Sequence, residues 1–145
     1  MFFSTANRGL KGVFAPAALA FAATVAFGAD VAEAEKIENP VAVFSGLDKI
    51  TGRIISFDVY INETVQFGAL QVTPRACYTR PATEAPQTDA FVEVDEITLN
   101  REVMRIFTGW MFADSPGLHA IEHPVYDIWL LDCKQSSDVA PPDNR

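Results

Sequence analysis

From Arg53 onward, apolar and polar positions alternate in short runs separated by turn residues, the period of β-strands rather than of helices. Arg53–Ile61 (RIISFDVYI) places Ile55, Phe57, Val59 and Ile61 at alternate positions, and Asn62-Glu63 follows as a turn into Thr64–Phe67. Gly68–Val72 continues as a short strand with Leu70 and Val72 on one face, and Pro74 predicts that its strand lies at an edge or bends there. Beyond the polar loop Pro81–Asp89, Ala90–Leu99 alternates again, with Phe91 opposite in phase to Val92 and Val94. Asn100-Arg101 is the next turn. Val103–Phe112 (VMRIFTGWMF) puts Met104, Ile106, Thr108, Trp110 and Phe112 on one face, and its apolar second half predicts a central or covered strand. Gly109 and the β-branched and aromatic content favour a strand over a helix there. After the loop Asp114–Pro124, Val125–Cys133 closes the pattern with Val125, Asp127, Trp129, Leu131 and Cys133 in one register.

About five to seven short strands without a helix predict an all-β domain, a small single-domain sandwich or barrel. The ends of the chain read differently. Residues 1–34 carry Arg8 and Lys11, then the apolar run Gly12–Ala29, then Ala32-Glu33-Ala34, which is the order of a secretory signal peptide. The alternative is a segment retained as an N-terminal membrane anchor. Residues 35–46 form an N-terminal segment, 47–134 the β-domain, and the polar, proline-bearing stretch 135–145 a disordered tail. With the signal removed, no membrane span remains, and the expected location is the periplasm of a Gram-negative cell.

Charge narrows the partners. The chain has a formal charge of −8, and removal of Arg8, Lys11, Asp30 and Glu33 together leaves it unchanged. A field of that sign repels phosphate backbones, so nucleic acid is not expected as a partner. Glu93, Asp95 and Glu96 form one local acidic cluster, read as a solvated face. Two cysteines in an exported chain, Cys77 and Cys133, point to one intramolecular disulfide, worth roughly 4 kcal/mol for a loop of this length on the chain-entropy model. Arg75 and Arg80 flank Cys77 and suit a reactive thiol, but no C-x-x-C accompanies them.

Catalytic motifs are sparse. His119-Ala120-Ile121-Glu122-His123 matches H-x-x-E-H, the inverted zinc-protease signature, whose chemistry needs a helix to bring both histidines to one metal. Pro116-Gly117 before it and Pro124 after it leave room for two helical turns at most. His119, Glu122 and His123 are therefore weak metal candidates, and no metal or cofactor is expected. No nucleophile elbow or phosphate loop is present in the sequence. Large aromatic side chains are a better indication: those not buried would mark a binding surface, with Arg75, Tyr78, Arg80, Trp110 and Trp129 as its candidates.

The segments Leu47–Arg53 (LDKITGR), Phe67-Gly68, Arg75–Tyr78, Phe107–Ala113 (FTGWMFA) and Ser115–Leu118 with Glu122–Trp129 also resemble a family of small exported bacterial proteins, domain-of-unknown-function family 2155. The resemblance covers about Leu47 to Cys133. It implies a Gram-negative periplasm and assigns no reaction. Together these readings favour a non-enzymatic periplasmic domain that binds another envelope component, protein or small ligand. The alternatives are an enzyme of unrecognised class using the His119/Glu122/His123 region, and an accessory subunit of a membrane complex.

Overall fold

The computed structural model describes Gly12, residues 35–119, Ile121 and residues 123–144. The segment read as a signal peptide lies, apart from Gly12, outside the described residues, as do Ala120 and Glu122. The described chain is all-β. Eight strands run β1 (Ile37–Glu38), β2 (Val41–Asp48), β3 (Arg53–Tyr60), β4 (Val65–Phe67), β5 (Leu70–Thr79), β6 (Asp89–Ile97), β7 (Val103–Phe112) and β8 (Tyr126–Lys134), with a short 3-10 turn at Pro142–Asn144. They form two antiparallel sheets. Sheet A has the order β1-β5-β6-β7 with β4 also on β5; sheet B has the order β3-β2-β8.

The two sheets bury their facing sides against each other. Sheet A contributes Leu70, Val72, Cys77, Ala90, Val92, Val94 and Met111; sheet B contributes Ala42, Phe44, Val59, Ile128, Leu130 and Cys133; Ile121 enters from the loop before β8. A sandwich results. The alternation read in β3 holds, since Phe57 pairs with Phe44 and Val59 with Ala42 on the core side. One disulfide, Cys77–Cys133, joins β5 of sheet A to β8 of sheet B.

Sheet B is centred on β2, which begins before Leu47, within the stretch read as an N-terminal segment. Its run Val41–Gly46 is buried on both faces, so it shows no alternation by which to be recognised. Lys134 on β8 reaches across β2 to Asp58 on β3 (3.0 Å), covering the outer face of the sheet. The chain then returns over the same side. Ser137 hydrogen bonds to Asp58, the Tyr60 hydroxyl donates to the Val139 carbonyl (2.6 Å), and Gln135 donates to Asn39 (2.7 Å). These contacts fall within the stretch that composition reads as disordered.

Three bulges reset the register. The one in β5 lies between Pro74 and Ala76. Pro74 sits where β5 has β6 on one side but neither β4 nor β1 on the other, so its missing N–H costs no ladder bond. The bulge between Val94 and Asp95 gives β7 one extra residue, and Ile106 and Phe107 both pack on the core. Beyond it Phe107 and Met111 face inward, while Thr108 and Trp110 join the outer face. The single-face expectation for Met104 through Phe112 is therefore corrected. Of the expectation of a central or covered strand, the first alternative is corrected as well: β7 ends the strand order of sheet A. In β8 an irregularity opposite Val43/Phe44 leaves Leu131 unpaired; Ile128 and Leu130 face the core before it, and Cys133 does so after it. Trp129 and Cys133 consequently lie on opposite faces, contrary to the register read from alternation.

Candidate functional site

Two regions combine unusual side chains. The first is the outer face of sheet A. Strand pairing sets Ala76, Phe91 and Trp110 in one cross-strand row, and Tyr78, Asp89 and Phe112 in the next. The Tyr78 and Trp110 rings stack at 5.9 Å, and Phe91 meets Trp110 edge-on at 5.4 Å. Lys36 places its ammonium 5.5 Å from the centre of the Tyr78 ring. All three aromatic rings are half-buried, so they support one another while leaving part of their surface to solvent.

Beside the rings runs an ionic ladder. Glu93 accepts from Arg75 (2.9 Å) and faces Arg105 (3.4 Å), and Arg105 also hydrogen bonds to Asp95. The bond to Asp95 holds the Arg105 guanidinium charged beyond the ordinary arginine range. The bulge at Pro74/Ala76 puts the extra residue, Arg75, within reach of both Glu93 and Asn62 (3.2 Å). Glu93 and Asp95 are thus members of a mixed-charge ladder and not a bare acidic patch.

The second region is the end of the sandwich where β2 turns into β3, β4 into β5 and β6 into β7, and where β8 begins. Aromatic rings form a ladder out of the core: Phe44–Phe57 at 6.0 Å, Phe57–Phe67 at 5.7 Å, Phe67–Tyr126 at 5.6 Å and Tyr126–His123 at 5.3 Å. Two glycines make room for it. A Cβ on Gly46 would lie 2.7 Å from Phe67 Cζ, and one on Gly68, where φ is 58°, would collide with the Tyr126 ring. Tyr126 separates two clefts. One, of about 290 Å³, is bounded by Asp48, Arg53, Ile55, Gln66 and Phe67. The other, of about 340 Å³, is bounded by Ile50, Ile97, Leu99, His123 and Pro124.

His123 is buried, and both of its ring nitrogens are occupied. Nδ1 lies 3.1 Å from the backbone N–H groups of both Val125 and Tyr126 and so accepts. Nε2 therefore carries the proton and donates to Glu96 (3.1 Å). His119 has other partners: its Nδ1 donates to the Trp110 carbonyl (2.6 Å), and its ring packs on Phe112 at 5.8 Å. Trp110 pairs with Phe91, five positions along β6 from Glu96, so the groups holding the two histidines are separated by roughly 17 Å of strand. The described part of residues 119–123 is turn and irregular chain, not helix, and Glu122 lies outside it. Among the described residues, no three His, Cys, Asp or Glu side chains are grouped so as to hold a metal.

The other surface candidates separate. Tyr78 and Trp110 are stacked together, with Arg75 beside them on the ladder. Arg80 has a side chain only 6% exposed, 3.2 Å from the 8%-exposed carboxylate of Asp89, and is a buried charge partner rather than a surface cation. That Asp89 oxygen receives no hydrogen bond, so the pair is held by charge at an angle unsuited to bonding. Trp129 belongs to sheet B, beside a cleft with Pro116 and Ile121. Phe91 belongs to this cluster without being among the candidates read from sequence, although its phase against Val92 and Val94 puts it on the outer face. Glu96 and Gly68 gave no such signal, because their partners come from distant parts of the chain.

The chain belongs to the family described as "Uncharacterized protein conserved in bacteria (DUF2155)", whose model matches residues 42–133. It is also similar to an uncharacterized protein of Rickettsia prowazekii (strain Madrid E), RP359, at 25% identity over 87 residues, 60% of this chain and 56% of that one. The chain thus spans a little over half the length of that relative. No solved structure matches it. Among the described residues, no helix is long and apolar enough to cross a membrane.

Proposed function

We propose that this chain is a non-enzymatic binding domain of the bacterial cell envelope that works in the periplasm and engages an envelope partner through the outer face of sheet A. The observation that carries this reading is the half-buried Tyr78–Phe91–Trp110 cluster beside the Arg75–Glu93–Arg105–Asp95 ladder. Rigid aromatic anchors rimmed by paired charges are the composition of protein-binding surfaces. Export is supported by the signal-like order of residues 1–34 and by the Cys77–Cys133 disulfide, which suits an oxidising compartment.

The test is capture from the native envelope with the wild-type chain and with Trp110→Ser in parallel, each checked for folding by its thermal transition. A discrete envelope protein held by the wild type, and weakened at least tenfold by the substitution, supports the proposal. Equal capture by both chains excludes this face as the binding surface. Location is tested separately, by fractionation of the producing cell and the mass of the mature N-terminus.

A further inference from the structure

We propose that the end of the sandwich carrying the β2–β3 and β6–β7 turns docks on a zwitterionic phospholipid surface, with Ile50 and Leu99 entering the interface. Ile50 is 78% exposed and Leu99 104% exposed, and both border the cleft beside Tyr126. Val103 and Met104 follow on the rising strand of the second turn, also exposed. Protruding aliphatic side chains gathered at one end of a small domain mark a surface meant for an apolar environment.

Their exposure is built in rather than frayed. In the first turn Asp48 Oδ1 accepts from the backbone N–H groups of Ile50 (2.9 Å) and Thr51 (3.2 Å), and Gly52 takes φ 71°. Lys49 is tied to Asp127 (2.8 Å) and to the His123 carbonyl (2.9 Å). In the second, Thr98 closes on Glu102 through both backbone and side chain, and Arg101 is held at φ 61°. Glycine would take that conformation freely; the chain keeps an arginine there despite the steric cost.

The chemistry of the occupant follows from the charges. Among the described residues, the guanidinium groups of Arg53 and Arg101 have no hydrogen bond or ion pair, whereas Arg75, Arg80 and Arg105 are all paired. Each turn therefore carries one protruding aliphatic residue and, three and two positions on respectively, one free guanidinium. A bilayer interface accommodates that combination, with the aliphatic group among the acyl chains and the arginine at the phosphates. It makes no demand for a matching shape around a protrusion. Of the acidic groups described at this end, Asp48, Glu96 and Asp127 are engaged internally, and Glu102 is free. With a chain charge of −8, added anionic lipid weakens docking instead of strengthening it.

The experiment uses the full chain with an environment-sensitive fluorophore at Asn100→Cys, and a second sample labelled at Gln87→Cys in the loop before β6, at the other end of that strand. Vesicles of phosphatidylethanolamine and phosphatidylcholine, with a brominated-lipid series, are added. The expected result is a blue shift and quenching at position 100 but not at 87, reduced at least fivefold by Ile50→Ser with Leu99→Ser. Because both labels share any membrane affinity of residues 1–34, their difference reports the turns alone. Three results overturn the proposal: no response at 100, equal response at 100 and 87, or a response unchanged by the double substitution. A response that requires phosphatidylglycerol overturns it as well. So does a response to soluble envelope protein in place of vesicles, which would assign the turns to a protein partner.

Discussion

Gly68 lies under Tyr126 with φ 58°, and an added Cβ meets the ring and comes within 2.7 Å of its hydroxyl oxygen. Gly68→Ala combines left-handed strain with overpacking and is expected to lose about 3 kcal/mol in urea unfolding. Gly52→Ala, at φ 71° with nothing within 4 Å, carries the strain alone and should lose about 1 kcal/mol. The difference measures what the Tyr126 ring demands of the backbone. Arginines separate in the same way. Arg80→Met leaves the buried Asp89 carboxylate without its cation and should cost about 3 kcal/mol or more. Arg75→Met, at the exposed edge of the ladder, should cost less than about 1 kcal/mol. Asp58 provides a pH signature. Burial pushes its carboxyl up, but hydrogen bonds from Ser137 and Lys134 and the charge of Lys134 outweigh this, and its pKa falls below the ordinary 3.8. A depressed carboxyl stabilises the fold above the unfolded-state value and loses that contribution as pH drops through the folded one. Ser137→Ala should therefore destabilise by about 1 kcal/mol at pH 7, with the gap from wild type closing in urea midpoints as pH falls below the ordinary carboxyl value of 3.8 and through the lowered one.

Strand by strand, what was legible in the sequence follows from what covers each face. β3 and β6 have one face on the core, so Phe57 with Val59, and Val92 with Val94, showed their phase directly. β2 is buried on both sides and gave no alternation, so the central strand of sheet B went unread. In β7 and β8 the alternation was real but its phase changes partway along. Extra residues at Ile106/Phe107 and at Leu131 turn the later positions over, which puts Trp110 outside and Cys133 inside. The binding-surface candidates inherited that limit: Tyr78 and Trp110 met, while Arg80 turned inward and Trp129 fell on the other sheet. The disulfide was readable from the signal-like order of residues 1–34 and the cysteine count alone. It ties β5 to β8 across the core, and its replacement by Cys77→Ala with Cys133→Ala should lower stability by about 4 kcal/mol, as read from guanidinium midpoints.

At the scale of the molecule, the inner faces of both sheets share one core and one covalent tie, so heat and denaturant should unfold them together. Circular dichroism and tryptophan fluorescence should give coincident transitions, and separate transitions would mean that the sheets melt independently. The arrangement of β2 has a consequence in time. It is the second strand of the described chain, yet one of its two partners is β8, the last strand, with Val41 paired to Lys134. Sheet B cannot close until β8 is present. A polypeptide still being synthesised lacks the strand that completes its core. Such long-range pairing also makes folding slow, on the millisecond-to-second scale. The topology itself keeps sheet B open, and its folding is deferred until β8 arrives.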